Sequence, residues 1–315
     1  MSSTFAIDLG NENCVVGVPG RGGVNIIRNQ ASQRLTPSMV AFDESRRFAG
    51  IDAQTQQMQN PKGTITNLKR LVGLKYNDPE REIVQSLVFA DLVELEDGYI
   101  GIRVDYHGEK IVLRVEQCIA LMLLECSKIA EIENASSKDC VIVVSPWWHE
   151  VQRRAILDAA SVAGFKVLQL LNYTTAAAIA YAMGHTNKLP KEKENAINVA
   201  IIDFGDSSMN VSISQIYKGS VEVKGFTSDP HLGGSHFSTA LQELLLPRVI
   251  EKYHINPRTS PRAMLRFRAA VEKTKKVLSI NSITRFEVPC LMNDIDVSLE
   301  VKREDFDAKI VDLVA

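Results

Sequence analysis

Two stretches share the pattern that decides the fold: Ala6-Ile7-Asp8-Leu9-Gly10 and Ile201-Ile202-Asp203-Phe204-Gly205. Each has two apolar residues, an aspartate, a third apolar residue and a glycine, followed by short polar residues. A second β-rich run then begins, at residues 14–18 in the first copy and 209–213 in the second. Both copies predict a β-hairpin that carries an aspartate at the end of its first strand. The repetition predicts a duplicated fold with two similar lobes.

The residues before the second copy alternate between strand and helix patterns. A short β-branched run at 141–144 and a mainly apolar run at 167–171 predict strands, and longer stretches at 149–163 and 175–183 predict helices. Such alternation predicts an α/β protein with a sheet covered by helices. The uncharged stretch 167–184 contains too many polar residues for a membrane span, so we interpret it as a buried strand followed by a buried helix.

A polar, proline-containing segment at residues 185–196 is the predicted boundary between the lobes. We place lobe I at residues 1–186, with an inserted subdomain at about 39–115. Lobe II takes residues 187–315, with an inserted subdomain at about 229–306.

The composition is that of an ordinary globular protein without a strong global charge. Of the 315 residues 45% are hydrophobic and 23% charged, and 36 Lys and Arg nearly balance 38 Asp and Glu. This balance argues against nucleic acid and anionic membranes as partners. The five cysteines are widely spaced and form no C-x-x-C pair, which indicates reduced thiols in a cytosolic compartment. The first residues show neither a basic start nor an apolar run, so no secretory signal is predicted.

The turn of each repeated hairpin has the composition of a phosphate-binding loop. Gly and short polar residues turn successive backbone N–H groups outward, and such a nest binds phosphate oxygens. The aspartate at the strand end supplies a carboxylate to a hydrated Mg²⁺, which prefers oxygen ligands and keeps several waters. Two such hairpins facing each other across a cleft would clamp a nucleoside triphosphate. The alternative is a pair of structural hairpins whose aspartates cap turns.

Further motifs, in a fixed order along the chain, carry a family resemblance. They are Ile7-Asp8-Leu9-Gly10, Thr36-Pro37-Ser38, Leu68-Lys69-Arg70-Leu71-Val72-Gly73, Thr175-Ala176-Ala177-Ala178-Ile179-Ala180-Tyr181, Asp203-Phe204-Gly205 and His231-Leu232-Gly233-Gly234. With them the sequence resembles the seventy-kilodalton heat-shock chaperones over essentially its whole length. The resemblance implies the actin-like ATPase fold, a duplicated ribonuclease H-like α/β architecture with two lobes.

Other segments resemble the large, hundred-and-ten-kilodalton branch of that family. They are Asp8-Leu9-Gly10-Asn11 with Asn13, Ser145-Pro146-Trp147-Trp148 and Met292-Asn293-Asp294-Ile295-Asp296-Val297. Members of this branch act as nucleotide-exchange partners and holdases for the ordinary chaperones. The resemblance therefore implies a chaperone or co-chaperone of the stress response.

The resemblance also implies where ATP or ADP and Mg²⁺ would bind. The first phosphate loop would comprise Asp8, Gly10, Asn11, Glu12 and Asn13. The second would comprise Asp203, Gly205, Asp206, Ser207 and Ser208, with further backbone donors from Gly233, Gly234 and Ser235. Asp8 and Asp203 would hold the metal ion through water.

Lys69 matches the family's lysine that helps position the attacking water at the terminal phosphate. The resemblance therefore makes Lys69, Asp8 and Asp203 the candidate catalytic residues. Considered without the resemblance, Lys69 lies beside Arg70 in a basic segment and is interpreted as a solvated helix lysine.

A helix is predicted over residues 261–278, because Ser260 is a good N-cap and Pro261 suits the first helical position. Its apolar stripe consists of Met264, Phe267, Val271 and Leu278. A different face carries Glu272, Lys275, Lys276 and Ser279. In the family this polar face grips the adenine and ribose. The alternative is a salt-bridged face in contact with solvent.

Two departures from the family pattern surround the first loop. Tyr173 and Thr174 stand where the family has a Glu-Pro pair, whose Glu helps to organise the Mg²⁺ waters. A phenol cannot replace a carboxylate in that task. Asn11 and Glu12 replace the threonine hydroxyls of the loop, and an acidic side chain beside phosphates is unfavourable unless it turns away or contacts the metal ion.

The second loop and the end of the chain also depart from the pattern. Asp206-Ser207-Ser208-Met209 replaces a Gly-Gly-Gly-Thr run, and Asn210 replaces the Asp that follows it. The chain ends at Ala315 within a predicted amphipathic helix, whose apolar positions are Phe306, Ile310 and Leu313. We therefore expect a C-terminally incomplete second lobe with part of the adenosine pocket missing.

These features together predict an ATP-binding chaperone or co-chaperone with weak or absent hydrolysis. The expected partners are an ordinary heat-shock 70-type chaperone and unfolded client proteins, in the cytoplasm or also the nucleus. Alternatives on the same fold are a fully active chaperone ATPase, a small-molecule kinase and an actin-like filament protein. A kinase would need a dedicated carboxylate base and a sugar-binding constellation, and we identify neither in the sequence.

Overall fold

The computed structural model describes residues 4–20, 23–133, 135 and 137–314. These residues form two compact units. The first unit comprises Met1–Gly205 and Met209–Asp229, and the second comprises Asp206–Ser208 and Pro230–Ala315. The lobes predicted at 1–186 and 187–315, with their inserted subdomains, stay predictions.

Strands and helices alternate along most of the described chain. The strands are β1 (Phe5–Leu9), β2 (Asn13–Gly20), β3 (Gly23–Ile26), β4 (Thr36–Pro37), β5 (Val40–Phe42), β6 (Arg47–Ala49), β7 (Thr64–Ile65), β8 (Asp91–Glu94), β9 (Ile100–Tyr106), β10 (Glu109–Arg114), β11 (Asp139–Val144), β12 (Lys166–Asn172), β13 (Ile197–Phe204), β14 (Met209–Tyr217), β15 (Ser220–Asp229), β16 (Ile283–Met292) and β17 (Ile295–Lys302). The helices are α1 (Ile51–Gln56), α2 (Leu68–Leu71), α3 (Glu80–Leu87), α4 (Val115–Glu131), α5 (Glu150–Val162), α6 (Tyr173–Gly184), α7 (Gly234–Tyr253), α8 (Pro261–Leu278), α9 (Arg303–Lys309) and α10 (Val311–Val314).

The largest sheet surrounds the first repeated motif. Its strand order is β12-β11-β1-β2-β3, and the short β4 also pairs with β2. β1 runs antiparallel to β2, which a short turn allows, and parallel to β11, which requires a longer connection. Alternate residues of β1 and one face of α4 form the core beneath the sheet, including Phe5, Ile7, Ile119, Met122 and Leu123.

The second repeated motif lies in a three-stranded sheet of order β13-β14-β15. Asp203 pairs with Asn210 in the β13–β14 hairpin, as Asp8 pairs with Val15 in the β1–β2 hairpin. The predicted repeat of an aspartate-bearing hairpin is therefore confirmed. Helix α6 packs on this sheet through the fully buried Ala178.

Two smaller sheets and the second unit complete the described structure. The small sheets have the orders β10-β9-β8 and β6-β5-β7. In the second unit, α8 has the predicted bounds, and the Ser260 side chain accepts a hydrogen bond from the Ala263 N–H at its N-cap. The predicted apolar stripe of α8 is buried, and the Phe267 ring lies 4.9 Å from the ring of Phe286 on β16.

Three expectations about local structure need correction. β12 is an edge strand with Leu168 half exposed, so the prediction of a buried strand at 167–171 is wrong. Helix α6 begins at Tyr173, two residues before the predicted start, which places Tyr173 in its first turn. The predicted terminal helix is interrupted at Ile310, where φ is −105° and ψ is 6°. Ala315 lies outside the described residues.

The segment at residues 185–196 consists of turns and a short 3-10 helix and is largely exposed, as predicted for a connection. Within the described part of the chain, no helix combines the length and apolar character that crossing a bilayer requires.

Candidate functional site

The turn between β1 and β2 is tight and is anchored to the start of α2. A Cβ on Gly10 would lie 2.3 Å from the carbonyl oxygen of Asn13, so a larger residue would force the turn apart. The buried side chain of Asn11 donates to Asn67 Oδ1 at 3.0 Å, immediately before α2. The side chain of Glu12 is exposed, so solvent screens the negative charge that the sequence placed in this loop.

Asp8 is the penultimate residue of β1 and is partly buried. Its Oδ1 atom has no hydrogen-bond partner among the described residues. Burial raises the pKa of Asp8, the charge of Lys69 and the hydroxyl of Tyr173 oppose this increase, and the negative charge of Asp203 adds to it. A buried carboxylate oxygen without a donor is costly unless a cation lies nearby. The position therefore suits contact with a hydrated cation.

Lys69, on α2, contacts Tyr173 in two ways. Its Nζ atom donates to the Tyr173 hydroxyl at 3.1 Å and lies 4.2 Å from the centroid of the ring. The hydroxyl donates in turn to the carbonyl oxygen of Leu9 at 2.8 Å. Burial and the nearby carboxylate of Asp8 raise the pKa of Tyr173, so the hydroxyl keeps its proton at neutral pH. The resemblance predicted that Lys69 belongs to the site, but it did not predict that Tyr173 is its hydrogen-bond partner.

A guanidinium group from α5 fixes the start of α6. Arg153 donates to the carbonyl oxygens of Ser145 and Trp148 at 3.2 and 3.1 Å, and to Asn172 Oδ1 at 2.8 Å. Asn172 directly precedes Tyr173, so these bonds hold Tyr173 in place. Sequence reasoning missed Arg153, because its acceptors lie on separate segments and two of them are backbone atoms.

Asp203 occupies the place in the second hairpin that Asp8 occupies in the first. The buried side chain of Asn210 donates to Asp203 Oδ2 at 2.9 Å. Gly205 follows in an exposed position. Because Asp203 affects the pKa of Asp8, the first unit brings the two predicted carboxylates into electrostatic contact.

The second unit brings Asp206–Ser208 against the start of α7. The carbonyl oxygen of Asp206 accepts hydrogen bonds from Ser235, from its backbone N–H at 2.8 Å and its hydroxyl at 2.7 Å. A Cβ on Gly233 would lie 2.4 Å from the same oxygen. Ser207 and Ser208 are buried. The predicted loop residues 206–208 therefore lie against the predicted donors Gly233 and Ser235.

The polar face of α8 reaches the same end of α7. Lys275 Nζ lies 2.9 Å from the carbonyl oxygen of Gly234, 2.8 Å from Ser238 Oγ and 2.7 Å from Glu272 Oε2. Burial raises the pKa of Glu272, but hydrogen bonds from Lys275 and Ser238 outweigh burial and hold this pKa below its usual value. Ser238 was not predicted, because only the packing of α7 on α8 places it there.

The remaining predicted residues of α8 are exposed. Lys276 pairs with Glu272 at 3.2 Å, and the Ser279 hydroxyl donates to the Lys276 carbonyl oxygen at 2.6 Å within its own helix turn. Ser279 therefore stands outside the cluster formed by Lys275. The polar face predicted from spacing exists, with one part forming an ion-pair cluster and the other facing solvent.

The donor set fits a hydrated Mg²⁺ with a polyphosphate. No group of three or more His, Cys, Asp or Glu side chains placed to hold a metal ion occurs in the described ranges. Mg²⁺ commonly keeps several waters and takes one or two protein carboxylates, which matches the pair Asp8 and Asp203. The unpartnered Asp8 Oδ1 and the tight turn at Gly10 are the observations that favour this fit.

A duplicated α/β fold in which each copy ends its first strand with an aspartate defines the class of actin-like ATPase domains. Comparison with known families is more specific. The chain belongs to the Hsp70 family, because the family model described as "Hsp70 protein" matches residues 4–315. The predicted fold and family are thereby confirmed.

Individual relatives support the large branch of the family. The chain is 36% identical over 315 residues to a heat shock protein homolog of Saccharomyces cerevisiae, covering all of this chain and 45% of that protein. It is 38% identical over 314 residues to "Heat shock protein hsp88" of Neurospora crassa, covering 99% of this chain and 44% of that protein. These two relatives are of the hundred-and-ten-kilodalton type, as predicted.

A plant relative extends the comparison. The chain is 38% identical over 307 residues to "Heat shock 70 kDa protein 14" of Arabidopsis thaliana, covering 97% of this chain and 36% of that protein. The chain spans less than half the length of these relatives. Family and fold are therefore established over the whole chain, and the activity of the whole protein is a matter for proposal.

Proposed function

We propose that this protein is an ATP-binding chaperone or co-chaperone of the heat-shock 70/110 type, in which nucleotide acts mainly as a conformational ligand. The observation that carries the proposal is the pair of hairpins that place Asp8 and Asp203 at matching positions. Membership of the Hsp70 family supports it. When bound, Mg²⁺ would neutralise charge on the polyphosphate.

Each predicted residue then has a proposed role. Backbone groups of the turns bind phosphate oxygens. The residues that contribute these groups are Gly10, Asn11, Glu12, Asn13, Gly205, Asp206, Ser207, Ser208, Gly233, Gly234 and Ser235. Asp8 and Asp203 hold hydrated Mg²⁺. The polar face of α8 orients the nucleoside, with residues Glu272, Lys275, Lys276 and Ser279.

Hydrolysis is proposed to be slow or absent. Lys69 is the candidate for orienting a water molecule, but its ammonium group is engaged by the Tyr173 hydroxyl. Tyr173 occupies the place of a carboxylate in the ordinary chaperones. A group that positions water or transfers a proton typically contributes about 10²–10⁴-fold to a rate. Single-turnover phosphate release at the rate of an ordinary heat-shock chaperone would favour the active ATPase instead.

Calorimetry with ATP and Mg²⁺ tests the binding proposal. We expect Asp8→Ala and Asp203→Ala each to weaken binding by about tenfold or more, because a lost charge-assisted interaction is worth about 1.5–3 kcal/mol. Asp43→Ala is the matched control, since the Asp43 carboxylate accepts hydrogen bonds from the Ser45 and Arg46 N–H groups of its own turn. Unchanged affinity in both site variants would reject the proposed phosphate and metal site.

We further propose a cytosolic location and a heat-shock 70-type chaperone as partner, together with unfolded clients. Free cysteines support the location: four are buried and Cys290 is exposed. The partner proposal rests on the similarity to the large branch. Stopped-flow release of fluorescent ADP from an ordinary heat-shock 70 chaperone tests it. We expect faster release when the full-length protein is added with ATP, and less acceleration with its Asp8→Ala variant.

A further inference from the structure

We propose that Tyr173 is a positioning residue that competes with bound polyphosphate for the ammonium group of Lys69, and so limits the anion affinity of the first loop. This inference rests on the proposed nucleotide-binding function and deepens it. It concerns a contact within the first unit alone.

The contact between the two side chains is double. Lys69 donates a hydrogen bond to the Tyr173 hydroxyl at 3.1 Å, and its charge lies 4.2 Å from the ring centroid. A cation within about 6 Å of an aromatic centroid is attracted by the negative face of the ring. Removing the hydroxyl alone therefore weakens the contact without abolishing it.

The hydroxyl can only accept from the Lys69 side. A phenol has one proton, for which the carbonyl oxygen of Leu9 at 2.8 Å and the carboxylate of Asp8 compete, so the hydroxyl is left to accept from Lys69. Leu9 directly precedes Gly10, so this bond ties α6 to the turn itself. Tyr173 is therefore an acceptor for Lys69, and it donates to a phosphate only if it releases both Leu9 and Asp8.

Both partners are held in place before any ligand arrives. Arg153 bonds to Asn172 Oδ1 at 2.8 Å, next to Tyr173. On the other side, Asn11 bonds to Asn67 Oδ1 at 3.0 Å, directly before the helix that carries Lys69. The contact is thus preorganised by two separate segments.

An anion in the first loop must compete with this contact. Lys69 is close enough for its positive charge to lower the pKa of Asp8, the penultimate residue of the strand before the loop. A phosphate attracts the ammonium group more strongly than a neutral phenol does, because charge-assisted hydrogen bonds are the stronger kind. When the anion binds Lys69, the hydrogen bond between Lys69 and the Tyr173 hydroxyl is therefore lost. The Tyr173 hydroxyl should lower anion affinity by about fivefold, the value of one net hydrogen bond.

The first test uses the ligand-free chain with ¹⁵N-labelled lysine. Ammonium protons are visible by NMR when a hydrogen bond slows their exchange with water, so Lys69 should give a signal that Lys69→Met removes. Tyr173→Phe should shift and broaden this signal, because the ammonium group loses its hydrogen bond to the phenol oxygen, while Tyr181→Phe should leave it unchanged. Tyr181 lies on the same helix and stacks on His185, away from the loop. An unchanged Lys69 signal in Tyr173→Phe would overturn the proposal whether or not nucleotide binds.

The second test measures affinity for inorganic tripolyphosphate and for Mg²⁺-ATP by calorimetry. Tyr173→Phe should bind both about fivefold more tightly than the natural chain, and Tyr181→Phe should not. In a Lys69→Met background the gain should vanish, which a purely structural effect of Tyr173 would not produce. A gain that persists without Lys69 would overturn the proposal. A shifted and broadened NMR signal in Tyr173→Phe without any ATP binding would retain the Tyr173–Lys69 contact and reject the nucleotide function.

Discussion

The side-chain amide of Asn210 donates a 2.9 Å hydrogen bond to Asp203, the residue opposite it in the β13–β14 hairpin. Asn210 is buried, so the carboxylate of Asp203 has a fixed neutral donor beside it. A carboxylate at position 210, as in the ordinary chaperones, would face Asp203 with a like charge. The Asn at this position therefore has a direct structural role.

Asn210→Asp should destabilise the ligand-free protein at neutral pH by about 1–3 kcal/mol, because a donor is lost and two carboxylates are forced together. One of the pair would then titrate at a higher pH in the folded state than in the unfolded state. Stability of the variant should accordingly fall as pH rises, and acidification should restore part of it. Urea unfolding at pH 5 and pH 8 measures this change. Asn198→Asp, at an exposed position of β13, is the matched control, and an equal loss there would contradict the explanation.

Asp8→Asn should stabilise the ligand-free protein by about 1 kcal/mol at neutral pH, because it removes a buried and incompletely hydrogen-bonded charge. Burial raises the pKa of Asp8 in the folded state. The folded state therefore holds this proton more tightly, so stability falls as pH rises from the unfolded pKa through the folded pKa. The advantage of the variant should grow over that window. Unfolding free energies between pH 4 and pH 8 measure it, and a variant less stable than the natural chain at pH 8 would refute the assignment.

Asp43→Asn should have the opposite effect on stability from Asp8→Asn. Backbone N–H donors from Ser45 and Arg46 lower the pKa of Asp43. Its ionised form therefore contributes stability that is present above the unfolded pKa and is lost as pH falls through the folded pKa. The same unfolding series should show a variant that is less stable than the natural chain at neutral pH and equal to it in acid.

Gly10→Ala should disrupt the first loop. The added methyl group would lie 2.3 Å from a backbone oxygen, so the turn must open. We expect a loss of about 1–3 kcal/mol of stability together with weaker Mg²⁺-ATP binding. Thermal unfolding and calorimetry measure the two effects. Gly184→Ala, where nothing lies within 4 Å of the new methyl group, is the control and should be close to neutral.

A single cysteine should react with a thiol reagent in the native protein. Cys290 is exposed, and the other four cysteines are buried. Burial raises the pKa of Cys118 to about 12 and that of Cys140 to about 11, which suppresses their thiolates. Titration with a chromogenic disulfide should give one fast thiol before denaturation and five after it. Fast reaction in Cys290→Ser would contradict the described burial.

The repeated motifs and α8 could be predicted because their signals are local. The aspartates at 8 and 203 end strands of the same apolar pattern, and Ser260-Pro261 is a helix start in itself. The bond of Tyr173 to Leu9 could not be predicted, because it joins residues 164 positions apart. The edge position of β12 also escaped prediction, since an apolar run is equally typical of a central strand and an edge strand.

Strand β13 has a neighbour on one side only within the described ranges, whereas β1 is flanked by β2 and β11. Ile202 on β13 is 67% exposed. An open strand edge is a template on which extended peptides can add as a further strand. In an aggregation-suppression assay with the described chain, unfolded polypeptide could therefore add to this edge whether or not nucleotide is bound. Only the fraction of captured polypeptide that changes with nucleotide, and with Asp8→Ala, then measures the proposed chaperone action.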